Sequence, residues 1–255
     1  MSSKESINTG AVVAKVVRRL IPFLFLCYIV NYIDRINVGY AALEMKEDLM
    51  FSDAVYGLGA SMFFIGYVLF EIPSNLIMER VGARLWIARI MISWGAVSSS
   101  MMLVKTPASF YLLRLLLGVA EAGFFPGTIL YLTRWIPAKE RARAVALFLT
   151  STALSGVIGG PLSGALLKMR GLSGLSGWQW LFLIEGIPAI LLGIVTLHYL
   201  TDFPEEARWL SPQEREWLNQ RMREEQEEKQ QRHSYTLFKA LTHRKVWRLC
   251  LLTFP

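Results

Sequence analysis

The sequence predicts an all-α polytopic membrane protein built as a six-helix bundle. Three observations carry that expectation. Apolar runs of about 20 residues recur along the chain, the length needed to cross ~30 Å of hydrocarbon. Of the 255 residues, 53% are hydrophobic and only 18% charged, with a mean hydropathy of +0.37. Lysine and arginine alternate from one side of the apolar runs to the other. Backbone in lipid must satisfy its own polar groups, which leaves helices and closed barrels, and these runs are too long and continuous for barrel strands.

Residues 1–19 form a hydrophilic N-terminus and the first span covers 20–42. It is no signal peptide, because the run is too long, lacks a small-residue cleavage site and carries Asp34 and Arg35 within "NYIDRINVGY". A charge at that depth costs about 2.5–3.5 kcal/mol on insertion scales. The second span, 54–78, contains Glu71 as a hydrogen-bonding acid, and a basic turn leads to the third, 85–104. The fourth, 109–133, holds Arg114 and Glu121 seven residues apart, on one helix face about 10 Å apart along the axis. In the fifth, 143–167, Gly156, Gly160 and Gly164 at four-residue spacing predict close helix packing and Pro161 a bend, while Thr150, Ser151 and Thr152 offer a polar lining. The sixth spans 179–201. Trp86, Trp135, Trp178 and Trp180 fall near span ends, as an interfacial belt requires.

The hydrophilic segment 202–245 reads as a central loop with its own amphipathic, well-solvated helix. Its "SPQE" at 211–214 supplies an N-cap serine, a proline at the first helical position and a capping-box glutamate. A new apolar run opens at 246–255, so the expected organisation is one half of a larger molecule plus the start of a seventh span. Spans 1–3 and 4–6 each begin with their most charged helix, which suggests two inverted three-helix repeats.

The net charge of +7 reports topology, since 21 of the 27 lysines and arginines flank the same ends of the spans as the N-terminus. The positive-inside rule then places the N-terminus and the 202–245 segment in the cytoplasm of a cell (inner) membrane protein, with no nucleic-acid partner implied. The two cysteines, Cys27 and Cys250, lie far apart in apolar runs and give no disulfide framework. No metal-ligand cluster and no phosphate-binding loop is present, so no cofactor beyond protons is expected. "GLSGLSG" at 171–177 with His198 offers a weak intramembrane serine-protease reading, but a Ser/Gly-rich turn needs no catalytic cause. The expectation is that the chain is not an enzyme.

Asp34, Arg35, Arg114 and Glu121 sum to zero charge, and intramembrane ionisable groups mark substrate or proton pathways. Guanidinium forks suit carboxylates, and desolvated carboxyls suit protons. The four together point to an anion and protons moving as one, with anion exchange and a non-transporting membrane sensor as the alternatives.

Four stretches, in order and correctly spaced, resemble the major facilitator superfamily, specifically its anion:cation symporter family for sugar acids and other organic carboxylates. They are "YIDRINVGYA", "PSNLIMERVGARLWIAR", "RLLLGVAEAGFFPG" and "GWQWLFLIEGIPAILLG". The resemblance covers essentially residues 18–255 as an N-terminal half. It implies alternating access by two six-helix halves, with the C-terminal half as the expected partner, a small organic anion as substrate and the lipid bilayer around both. It further implies Arg35, Tyr32, Tyr67, Arg114 and Thr152 around the substrate, Asp34 and Glu121 as proton-coupling groups, and Glu79, Arg80, Gly82 and Arg84 as a gating loop. Glu79 stands where many of the superfamily carry aspartate.

Overall fold

The computed structural model describes residues 8–232. The expected opening of a seventh span at 246–255, with Cys250, lies outside the described residues. Eight α-helices are present among them: α1 Thr9–Leu49, α2 Asp53–Val81, α3 Ala83–Ser100, α4 Pro107–Glu121, α5 Phe124–Thr133, α6 Ala138–Leu167, α7 Gly177–Tyr199 and α8 Pro212–Arg232. Four segments, Asp53–Val81, Pro107–Thr133, Ala138–Leu167 and Gly177–Tyr199, are long and apolar enough to cross a membrane by length and composition. The helices α1 and α3 pack with them in one bundle.

Starts and stops follow side-chain chemistry. Asn8 and Ser52 accept the backbone N–H three residues on, at 3.1 and 3.3 Å. Thr106 with Ser109 and Ser176 with Gln179 form capping boxes at α4 and α7. The span expected over 109–133 is broken at Ala122–Gly123, where Gly123 takes φ +88°. That break leaves the Ala122 carbonyl without a helical partner, and the Ser74 hydroxyl of α2 donates to it at 2.7 Å.

The packing has the symmetry of a three-plus-three repeat. Exchanging α1, α2 and α3 with α4–α5, α6 and α7 turns the α2·α4 contact into α1·α6 and the α1·α7 contact into α3·α4. The α3·α7 contact maps onto itself, and these are the five most extensive contacts of the bundle.

Two features differ from the sequence expectation. An added Cβ at Gly156 or Gly164 meets open space, and at Gly160 only the Tyr40 hydroxyl at 3.4 Å. The tight crossings lie elsewhere, at Gly66 and Gly118 between α2 and α4 and at Gly95, Gly186 and Gly193 between α3 and α7. A four-residue glycine spacing thus identifies a smooth helix face without saying what covers it. Likewise, Trp135 and Trp178 are fully buried, the first stacked on Trp209 at 5.6 Å and the second donating to Asp48 at 3.0 Å. They are packing groups and not belt residues.

The helix α8 docks on the end of the bundle that carries the N-terminus. Ser211 and Glu214 form its capping box, and Leu210 and Leu218 are buried. Glu225 accepts from Arg141 at 2.7 Å and from the Ala138 N–H at the start of α6 at 2.8 Å. Lys15 of α1 donates to Glu214 at 2.7 Å and, with the Ser211 N–H, holds its carboxyl below the usual glutamate range. A lowered folded-state value means that this contact stabilises docking above the ordinary glutamate range and is lost as pH falls through the folded value. Partial exposure limits it to about 0.2–1 kcal/mol. Protection factors of the α8 amides, with the pH dependence of intrinsic exchange divided out, should therefore fall a few-fold from pH 7 to pH 3, and Glu214→Gln should remove part of that dependence. An unchanged profile in the variant would show that the pair does not hold α8.

Candidate functional site

Adjacent residues on a helix point about 100° apart, and in α1 this sends Asp34 and Arg35 to different neighbours. Arg35 reaches α4. Its Nε donates to Glu121 Oε1 at 3.0 Å, and its Nη2 bonds the same oxygen. The Arg35 side chain keeps 25% of its surface exposed while Glu121 has none. The guanidinium lies 5.0 Å from the Tyr67 ring centroid and 5.6 Å from that of Phe63, both on α2. Glu71, one turn beyond Tyr67 along α2, is partly buried, and its backbone carbonyl accepts from Asn75 Nδ2 at 2.8 Å. Half-buried Tyr32 lies one turn before Arg35, its ring 6.3 Å from that of Tyr28. Glu121 Oε2 has no hydrogen-bond partner. One half-open cation, one buried acid with a free oxygen and an aromatic wall are thus brought together.

Asp34 turns to α3 instead. Its Oδ2 accepts from Trp94 Nε1 at 2.9 Å, and its Oδ1 accepts from the Ser98 hydroxyl and from Asn37 Nδ2, the latter at 3.1 Å. It is fully buried and makes no ion pair among the described residues. The expectation that all four charges neutralise one another in a single centre between spans 1 and 4 therefore holds only for Arg35 and Glu121.

Arg114 is also enclosed, 2% exposed. Its Nη2 reaches the Ala60 carbonyl at 3.5 Å and its guanidinium lies 4.8 Å from the Phe63 ring, with Nε and Nη1 unpartnered. Phe63 of α2 thus lies against both arginines. Thr152 is only partly buried and its hydroxyl donates to its own helix, to the Leu149 carbonyl at 2.8 Å.

In the 79–84 loop, Gly82 takes φ +100°, and a Cβ there would run into the Asp202 carboxylate. Asp202 accepts the Arg84 N–H at 2.8 Å and faces its guanidinium at 3.8 Å. Glu79 and Arg80 are exposed and make no ion pair among the described residues. The anchor of this loop, Asp202, was not legible because it lies some 120 residues away in a segment that reads as solvent-facing. Trp94, Ser98 and Asn37 were likewise missed, since a serine or tryptophan in a span carries no signal until an acid is seen beside it. Glu185 had such a signal, as an acid within the sixth span. It is buried and accepts from Ser163 at 2.9 Å.

Residues 24–254 match the family model for the Major Facilitator Superfamily. The chain belongs to that superfamily. It is 54% identical over 243 residues to an Agrobacterium vitis protein named "Putative tartrate transporter", covering 95% of this chain and 56% of that protein. It is 42% identical over 242 residues to the inner membrane transport protein RhmT of Escherichia coli, covering 95% and 56%. The chain thus spans about half the length of the curated relatives it matches. A bacterial homologue of the lysosomal transporter Spinster, solved inward-facing and unoccupied, superposes with a TM-score of 0.69 at 23% identity over 84% of this chain and 47% of that one, a likeness of fold. The chain has the fold of an N-terminal half of that superfamily and is integral to a membrane, and these relatives are named as transporters. The protease reading fails on geometry as well, because Ser176 donates to Asp48 at one end of α7 while His198 lies about 30 Å away at the other.

Proposed function

We propose that this half carries the carboxylate and proton sites of a proton-coupled organic-acid transporter of the anion:cation symporter type. The observation that carries the reading is the Arg35–Glu121 pair, a part-exposed guanidinium whose one carboxylate partner is wholly buried. A substrate carboxylate engages Arg35 in a two-bond fork only if Glu121 lets go. A proton on Glu121 removes the charge that holds Arg35, so proton and anion binding favour each other. Tyr67 and Tyr32 border the vacated space, and Thr152, on the helix α6 that packs against α1, is the further candidate for its lining. Arg114 acts through its field on Glu121 and Asp34, being too enclosed to touch a substrate.

Entry of an anion into a negative-inside cell is opposed by about 2.3 kcal/mol per charge per 100 mV, and co-transported protons offset that cost. The superfamily fold supports alternating access with a second six-helix half, and the tartrate name of one relative supports a hydroxy-acid substrate. The N-terminus and α8 face the cytoplasm of the inner membrane in this proposal, as the lysines and arginines on their side of the spans favour. The 79–84 loop, with Gly82, Arg84 and their Asp202 anchor, then closes the cytoplasmic side, and exposed Glu79 and Arg80 are free to meet the other half.

The test is proton flux in vesicles loaded with the complete protein and offered a panel of sugar acids, hydroxy diacids and aromatic acids. Glu121→Gln leaves Arg35 permanently released, so substrate binding should persist while proton-driven accumulation falls at least tenfold. Accumulation that survives in the variant would favour anion exchange, and silence of the unmodified protein across the panel would favour a sensor.

A further inference from the structure

Glu185 is the buried acid that the proposal above does not use. It sits mid-way along α7, 4% exposed, facing α1, α3 and α6. Its Oε1 accepts one hydrogen bond, from Ser163 on α6, and its Oε2 has none. Asn37 on α1 lies within hydrogen-bonding reach of it, and the Asn37 amide oxygen also lacks a donor. Asn37 Nδ2 gives one of its two N–H donors to Asp34 at 3.1 Å, and the other is the one that can reach Glu185.

The charged groups around this acid are few. From α1 it is faced by Asp34, a like charge. Nearly three turns beyond Asp34 along α1, Glu44 is occupied by the Gly177 N–H at 3.0 Å and by Arg170 at 3.6 Å. From α3 and α6 the neighbouring polar groups are neutral, Ser98 and Ser99 on the one and Ser163 on the other. No ion pair reaches Asp34 or Glu185 among the described residues.

Two carboxyls of like sign share this interior, and their surroundings differ. Asp34 collects three donors, which suits an ionised group. Glu185 collects one, and an ionised carboxylate there would leave a bare anionic oxygen in a dry, uncompensated place beside another anion. A proton on Oε2 removes that charge.

We infer that Glu185 is a second intramembrane proton-binding site, held as the neutral acid at neutral pH and linked to Asp34 through Asn37. Any proton that leaves Asp34 or Glu185 changes the bonding of the other through this one amide. The inference deepens the proton-coupling reading for the same bundle, yet its test needs no transport.

That test is infrared spectroscopy of the complete protein in lipid nanodiscs at neutral pH, reading the carbonyl stretch of a protonated carboxylic acid. The unmodified protein should show one such band shifting in deuterium oxide, absent in Glu185→Gln and present but displaced in Asp34→Asn. Ser163→Ala, which removes no carboxyl group, should move the band to higher frequency by removing the hydrogen bond to Oε1, and this keeps the test decisive if Glu185→Gln fails to fold. A band that survives in Glu185→Gln, no band in the unmodified protein, or no response to Ser163→Ala would overturn the assignment. Proton-coupled uptake can fail in vesicles while the band behaves as expected, so the two readings fall separately.

Discussion

Replacing Arg35 by lysine is expected to weaken carboxylate binding by one to two orders of magnitude while leaving the fold intact. The charge is retained, so the buried Glu121 keeps a counter-ion and no naked carboxylate is created. What is lost is the fork. Arg35 presents a planar guanidinium flanked by Tyr67 and Phe63 at 5.0 and 5.6 Å, which limits its orientations. A lysine ammonium is a compact point charge with no plane to stack and one fewer bond to offer a carboxylate. A hydrogen bond to a charged group contributes about 1.5–3 kcal/mol, which is roughly a 10- to 150-fold loss in affinity. The measurement is equilibrium binding of the acid identified by flux, on the complete protein, for the unmodified chain and Arg35→Lys. Equal affinities would mean that Arg35 is a structural counter-ion to Glu121 and that the carboxylate is held elsewhere. Wholesale loss of folded protein, seen by size-exclusion and helix content, would say the same in a stronger form.

The sequence made Arg35 and Glu121 conspicuous because charge inside a 20-residue apolar run has no bland explanation. It marked the helices because long apolar runs have none either, and capping chemistry at Ser211 placed the start of α8, whereas the caps at Thr106 and Ser176 emerged only with the structure. What it could not say was which charge meets which. Two neighbouring residues 100° apart on α1 each have a candidate partner on several helices, and only packing shows that Asp34 belongs to α3 and Arg35 to α4. The break at Gly123 was hidden because 109–133, Arg114 and Glu121 apart, is apolar enough to read as one continuous span, and the hydroxyl that meets the freed Ala122 carbonyl comes from α2. The docking of α8 was hidden because its anchors, Leu210, Leu218 and Trp209, are sparse among charged residues. Local patterns are legible where a residue's own environment must be unusual. Pair identity is not, because it is a property of two helices at once.

Glycine shows the difference most sharply, and a pair of alanine substitutions should expose it. At Gly118 the added methyl would fall on the backbone carbonyl of Phe63, which no rotamer change relieves. At Gly156 it would meet nothing. Both positions are helical, so the intrinsic preference for alanine, worth up to about 1 kcal/mol, is common to the two and cancels in the comparison. Gly156→Ala should be neutral or stabilise slightly. Gly118→Ala must push α4 away from α2, and overpacking of that kind costs about 1–3 kcal/mol. Gly66→Ala should behave like Gly118→Ala, because its methyl would press on the Leu115 carbonyl at the same crossing. The double variant should lose less than the sum of the two, since one separation of the helices relieves both contacts. Thermal unfolding in detergent, followed by tryptophan fluorescence, reads all four. A drop of several degrees confined to Gly66→Ala and Gly118→Ala would fix α2·α4 as a backbone-to-backbone crossing. Equal loss at Gly156→Ala would mean instead that the α6 face is also closely covered. The crossing has a functional side as well, because Phe63, whose carbonyl meets Gly118, lies against both Arg35 and Arg114. Any separation of α2 from α4 should therefore loosen the wall behind Arg35 and lower carboxylate affinity along with stability.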